Sequence, residues 1–171
     1  IRFKGREAIS ELFRFTLDVN LLRGTALPNN LEPGLELTIL LSSNGAVERR
    51  FHGAVESITL DRDPTLSRPA FQMVVVPRVS RCLLIEQQQI LMGITVAELI
   101  SGRLELVDIS PADYRLSSLS NQYPTHEFIV QFGESDWALL SRYMEHFGIW
   151  YWFEHDESGD HIVFGDNNNQ F

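Results

Sequence analysis

The sequence has 171 residues, 44% hydrophobic and 11% aromatic, with 14 basic against 23 acidic side chains and a formal net charge of −9. Enough apolar material is present for one ordinary domain or two small ones, and no apolar run approaches the ~18 residues that cross a bilayer. The acidic field repels phosphate backbones, and Arg49-Arg50 is the only adjacent basic pair, so nucleic-acid binding is demoted.

The start, Ile1-Arg2-Phe3-Lys4, shows no charged n-region or cleavage site, so no signal peptide is expected. Phe13 to Asn20 alternates apolar and polar without a break, the period of a strand with one wet face. A Pro/Asn/Gly-bearing connection follows from Pro28-Asn29-Asn30 to Pro33-Gly34, after which Leu35, Leu37, Ile39 and Leu41 restart the alternation. Ser42-Ser43-Asn44-Gly45 predicts a type I′ hairpin turn, because Asn-Gly tolerates positive φ at both central positions. The returning strand runs from Val47 to about Leu60, with Gly53 a bulge or a point of close approach. Asp61-Arg62-Asp63-Pro64 closes it, and Phe71 to Val76 begins another strand. Such a meander predicts a small barrel or sandwich.

Helical signals come later. Thr95-Val96-Ala97-Glu98 fits a capping box, with Ile94 and Leu99 placed for a hydrophobic staple and Gly102 expected to stop a short helix. A strand over Glu127–Phe132 precedes a second helix capped by Ser135, with Asp136 in its first turn and Gly148 at its end. Trp137, Leu140, Met144 and Phe147 form its apolar stripe. After Gly148 the period becomes two: Ile149, Tyr151 and Phe153 face one way, and Trp150, Trp152 and Glu154 the other. A polar turn over 156–160 and a return strand over 161–164 complete the pattern. The fold class is therefore β-rich α+β, a small antiparallel β-barrel followed by an α+β unit. The composition shift near residue 85, at Gln87-Gln88-Gln89, divides it into residues 1–85 and 86–171.

The search for chemistry yields mostly structural readings. No nucleophile elbow, phosphate-binding loop, His-Glu-x-x-His or Cys-x-x-Cys is present, so no enzyme, cofactor or metal site is expected. The segment His155 to His161 gathers nitrogen and oxygen donors, but Asp, Ser and Gly also belong in a solvated turn, and zinc needs three or four converging ligands. Glu134, Asp136, Glu145 and Glu154 beside Trp150 and Trp152 could suggest a glycan-binding or glycan-cleaving module. Asp136 and Glu145, nine residues apart on a helix, point in nearly opposite directions, and a polar outer helix face is the blander account. His52, His126 and His146 show no convergent partners in the sequence. Cys82 is alone, which precludes an internal disulfide, suits a reducing cytoplasm and reads as a structural thiol. Trp150 and Trp152 remain as interface candidates, since two indoles opposite a core face imply a further packing layer or a partner.

The block from Glu134 to His155 carries a resemblance. Its Glu-Ser-Asp opening, Leu-x-Arg helix, Gly-Ile break and aromatic strand ending in Glu-His together resemble VgrG spike proteins. Gly5-Arg6-Glu7-Ala8-Ile9-Ser10 with Phe13-Arg14-Phe15 resembles that family's first strand, Arg50-Phe51-His52-Gly53-Ala54-Val55 its Phe-His-Gly strand, and Thr95 to Ile100 its first capped helix. The stretch Val79-Ser80-Arg81-Cys82-Leu83 departs from it by lacking Trp. The resemblance implies a phage-tail-hub-like fold and a structural, non-enzymatic role at the base of the trimeric spike of a type VI secretion system. Its implied partners are two further copies, a hexameric Hcp-like tube, baseplate components, and effector or tip proteins. The chain would assemble in the bacterial cytoplasm and then be secreted or delivered into a target cell. It would hold the first barrel and the start of the middle unit, with the second barrel, OB-fold and membrane-contacting needle outside it. A contractile phage tail hub is the alternative within the same class.

Overall fold

The computed structural model describes residues 1–21, 30–61 and 70–168. The predicted turn residues Pro28-Asn29 and Arg62-Asp63-Pro64 lie outside the described residues. The chain divides into two compact units: Ile1–Arg78 with His155–Asp160, and Val79–Glu154 with His161–Phe171. The first unit thus ends ahead of the composition shift at 85 and takes in a hairpin tip from far along the chain. The cause is local burial. The 3-10 helix Arg78–Leu83 buries Val79 and Cys82, so this stretch is core rather than linker.

The first unit is a five-stranded antiparallel sheet in the order β1-β2-β5-β4-β3. Its strands are β1 (Arg2–Arg6), β2 (Arg14–Asn20), β3 (Glu36–Ser43), β4 (Ala46–Asp61) and β5 (Ala70–Val76). The alternation read in the sequence sets the faces: Phe15 and Leu17 of β2 sit opposite Val75 and Met73 of β5, and all four are buried. Asn44 and Gly45 take φ of 51° and 83°, so the β3–β4 turn is the one that Asn-Gly predicts.

Strand β4 decides the curvature. Its residues up to Ala54 pair with β3, and those from Ala54 onward pair with β5. Sixteen residues in one strand span about 50 Å at ~3.3 Å each, and in so small a unit the sheet has to curl. Gly53 sits at this change of partner. A Cβ there would lie 2.6 Å from the Val76 carbonyl and 2.8 Å from Val75 Cγ1, so Gly53 is the close-approach point. The bulge falls instead at Glu56, where the register shifts between Val55 and Ser57. The expected barrel takes the form of a curled half-barrel whose edges are β1 and β3.

In the second unit, β6 (Glu86–Ile94) and β8 (His126–Ser135) form a two-stranded antiparallel ribbon. β7 (Tyr114–Arg115), β10 (Asp160–Gly165) and β9 (Trp150–His155) form a three-stranded sheet in the order β7-β10-β9. Helix α1 (Val96–Glu105) opens with the predicted box: Thr95 Oγ1 accepts from the Glu98 amide, and the Thr95 amide donates to Glu98 Oε2 at 2.7 Å. It runs through Gly102 rather than stopping there. Arg103 and Leu104 are both buried, and that burial outweighs the ~1 kcal/mol cost of an interior glycine. Helix α2 (Asp136–Phe147) starts at Ser135, whose hydroxyl accepts from the Ala138 amide, and ends at Gly148 with φ 67°.

The Gln-rich stretch at the composition shift is part of strand β6. Its inward positions Gln87 and Gln89 reach a buried polar core that periodicity does not reveal. There Arg103 and Asp136, each with a side chain only 5% exposed, pair at 3.2 Å. Gln131 donates to Asp136 Oδ1 at 3.1 Å, Gln87 donates to Asp136 Oδ2 at 3.2 Å, and the Gln89 side-chain oxygen accepts from Arg103. These buried polar side chains bond to one another rather than to water. Asp136, read in the sequence as part of a solvated helix face, is therefore the centre of an interior network.

Candidate functional site

The predicted polar turn at 156–160 is the tip of the β9–β10 hairpin, and within the first unit it is clasped to the sheet. The His155 side chain is 6% exposed. Its Nδ1 accepts from the His52 amide at 3.1 Å, so the neutral ring carries its proton on Nε2, which faces Glu7 Oε1 at 3.2 Å. His52 Nε2 donates to the Asp156 carbonyl at 2.6 Å, and Thr38 Oγ1 lies 2.9 Å from His52 Nδ1. Phe13 and Phe51 bracket the His155 ring at 5.2 and 5.5 Å between centroids. Arg49 holds Glu7 at 2.7 Å, and Arg78 holds Asp160 at 2.5 Å.

His52, for which the sequence offered no partner, thus has three, contributed by β3 and the hairpin tip. The missing signal was long-range: His52 and His155 lie 103 residues apart. His161 Nδ1 donates to the Ala112 carbonyl within the second unit. Among the described residues no group of three or more His, Cys, Asp or Glu is placed to hold a metal ion.

The carboxylates that suggested glycan chemistry are mostly engaged. Glu134 pairs with Arg142 at 2.6 Å, Asp136 with Arg103, and Glu154 with Arg115 and with Trp152 Nε1. Glu145 is exposed on α2. Cys82 is buried, and burial first, then the charge of Asp136, pushes its thiol up to about 12, which suits a structural residue.

Two aromatic or apolar surfaces remain. Ile149 and Tyr151 are buried, while Trp150 and Trp152 are half-buried and stack on each other at 5.0 Å and 29°. The other surface was not anticipated. On the β6–β8 ribbon Ile90, Met92, Phe128, Val130 and Phe132 are all exposed.

A family model for phage tail baseplate hub proteins matches residues 6–171. The chain belongs to the phage tail baseplate hub family. Segments that carry the resemblance and are distant in this sequence meet in the clasp: Phe13 just ahead of β2, Phe51-His52-Gly53 of β4, and His155 at the end of β9. The hub chain is 33% identical, over its whole length, to the type VI secretion system spike protein VgrG5 of Pseudomonas aeruginosa, and spans 21% of that protein. It is 28% identical to VgrG1c of the same organism, with 96% of this chain and 22% of that protein covered. Among solved structures, 99% of it superposes with a TM-score of 0.84 on 46% of the c3393 protein of E. coli, at 22% identity. That protein is described as a type VI secretion component structurally similar to the T4 tail proteins gp27 and gp5. A 43 kDa tail protein of prophage MuSo2 from Shewanella oneidensis matches with a TM-score of 0.63 and 14% identity, over 95% of this chain and 47% of that one. The hub chain therefore spans about a fifth of the curated relatives and under half of the solved chains it matches.

Proposed function

We propose that this chain is part of the base of a trimeric type VI secretion spike, which seats on a hexameric Hcp-like tube and carries effectors outward when the surrounding machine contracts. The observation that carries this reading is the alignment of the whole chain with a curated type VI secretion spike protein at 33% identity. The role is structural. The work comes from contraction elsewhere, and three of the four candidate carboxylates, Glu134, Asp136 and Glu154, are held in ion pairs. The β1 and β3 edges and the Trp150/Trp152 face serve as assembly contacts with neighbouring copies and with the tube. Assembly takes place in the bacterial cytoplasm, followed by secretion or delivery into a target cell.

Light scattering on the full-length protein, with pull-downs against the tube protein, tests the proposal. A trimer that retains the tube is expected, and a monomer that retains nothing overturns it. A phage tail hub is the second reading, favoured by the likeness to a prophage tail protein. Neighbouring genes separate the two: tube and sheath genes of a secretion locus against capsid and tape-measure genes.

A further inference from the structure

Eight asparagines occur in the sequence, at positions 20, 29, 30, 44, 121, 167, 168 and 169, and only Asn44 is followed by glycine. An asparagine carboxamide can be reached by the backbone nitrogen of the next residue. Closure of that five-membered ring is hindered chiefly by the next residue's side chain, and glycine has none. At the other seven positions the next residue is Leu, Gln or Asn. The fold puts Asn44-Gly45 at the tip of the β3–β4 hairpin, with residues Ser43 to Ala46 all exposed. A Cβ built on Gly45 would meet nothing within 4 Å, so the tip stands clear of the rest of the chain. No hydrogen bond among the described residues holds the Asn44 carboxamide. One feature opposes reaction. Asn44 sits in the left-handed region at φ 51°, and the Gly45 nitrogen reaches Asn44 Cγ only after rotation about the Asn44 Cα–C bond, which opens the turn. The stem that resists opening is short. β3 is an edge strand, and outside the register shift between Leu41 and Ser42 only Ser42–Val47 and Ser43–Ala46 pair. Exposed backbone bonds at the end of such a strand open at small free-energy cost.

We propose that Asn44 is a site of spontaneous deamidation in the folded chain, with water as the only co-reactant. The Gly45 nitrogen gives up its proton to solvent and attacks Asn44 Cγ. A Cγ–N bond to the backbone forms, the side-chain Cγ–N bond breaks, and the amide departs as ammonia with a proton from solvent, leaving a succinimide. Water then opens the ring at either carbonyl. Attack at Cγ gives aspartate at position 44, and attack at the backbone carbonyl gives isoaspartate, whose main chain runs through Cβ and Cγ. One water is consumed and one ammonia released, with nothing oxidised or reduced. Either product adds a negative charge to a chain already at −9. Isoaspartate also lengthens the turn backbone by a carbon, so the two-residue loop no longer matches the twist of its strands. The damage ends at the register shift, because further in Ile39 and Phe51 are paired and buried. The product is a folded chain with a shortened β3 edge and a more acidic tip. This chemistry needs nothing from the hub reading and is judged apart from it.

The test is incubation of the whole chain at neutral and at mildly alkaline pH, sampled over days and mapped by tryptic digestion and mass spectrometry. Cleavage at Arg23 and Arg49 releases Asn44 together with Asn29 and Asn30, and fragmentation tells the three apart. The expected result is an acidic isoform that grows with time, and faster at the higher pH, with circular dichroism unchanged. In it position 44 carries aspartate and isoaspartate before any other asparagine has converted. Asn44→Gln should abolish the isoform over the same period, since the longer side chain closes its ring far more slowly. A parallel incubation in urea gives the rate with the turn open, and the native chain should react more slowly than that but measurably. A native chain that stays intact at position 44 while the unfolded chain converts has a locked turn and overturns the proposal. Conversion that begins at another asparagine, or none at position 44 in either state, overturns it as well.

Discussion

Replacing Asp136 with alanine tests whether the second unit is organised around a buried ion pair or merely decorated with a helix-start carboxylate. The Arg103–Asp136 contact is 3.2 Å, with both side chains 5% exposed. At an effective dielectric constant of ~20, that separation corresponds to an attraction of about 5 kcal/mol. Removing one partner strands the other charge, and such losses run at about 3–5 kcal/mol. Gln131 and Gln87 also lose the acceptor they share, so the cost falls toward the upper end of that range. All three Trp residues, 137, 150 and 152, lie in the second unit, so urea unfolding followed by Trp fluorescence reports on it directly. Adding Arg103→Ala should cost less than the sum of the two single changes, because the stranded cation is gone. A loss below about 0.5 kcal/mol for D136A, the range of ordinary surface substitutions, would refute the reasoning.

Other expectations follow from the same geometry. Gly53→Ala puts a methyl against Val76 O and Val75 Cγ1 and should lower stability by about 1–3 kcal/mol in chemical denaturation; no change would mean that β4 and β5 do not approach so closely. His155→Phe keeps a ring between Phe13 and Phe51 but leaves the His52 amide without its acceptor. Its cost should be about 1–3 kcal/mol, and a neutral result in thermal unfolding would assign the clasp to packing alone. Burial by itself would raise the Asp166 carboxyl, but bonds from the Ser120 and Asn121 amides, the Tyr123 hydroxyl and the Ser120 hydroxyl hold it down at about 2. With an unfolded value of ~3.9, its contribution is complete above pH ~4 and is lost as pH falls through the folded value; hydrogen exchange at residues 120–121 should accelerate only in that window. Cys82 should resist thiol reagents in the native chain and react once the chain is unfolded, while rapid native labelling would contradict its burial.

Much of the local structure is legible in the sequence because its cause is local. The Asn44-Gly45 turn, the Thr95/Glu98 box, the Ser135 cap and the Gly148 terminus each follow from a few neighbouring residues and their backbone preferences. The alternation of Phe13–Asn20 and of Leu35–Leu41 likewise sets which faces turn inward. Local sequence is silent where the compensation is distant. Gln87 and Gln89 look like a polar break, yet they lie in a strand because Arg103, Gln131 and Asp136 complete their hydrogen bonds. Gly102 looks like a stop, yet the helix passes it because Leu104 has a core to enter.

The surfaces divide in the same way. An aromatic strand with Trp150 and Trp152 on one side can be seen by counting residues. That the two indoles spend part of their area on each other, while an apolar face opens on the β6–β8 ribbon, depends on which strand becomes the partner of β8. The clasp depends on bringing residues 7, 52 and 155 together. The sequence by itself determined elements, caps, turns and family, since these rest on short-range geometry and on ordered motifs. Tertiary structure alone decided which polar groups are buried and satisfied and which apolar groups stay exposed, because burial belongs to pairs of distant segments and not to either one.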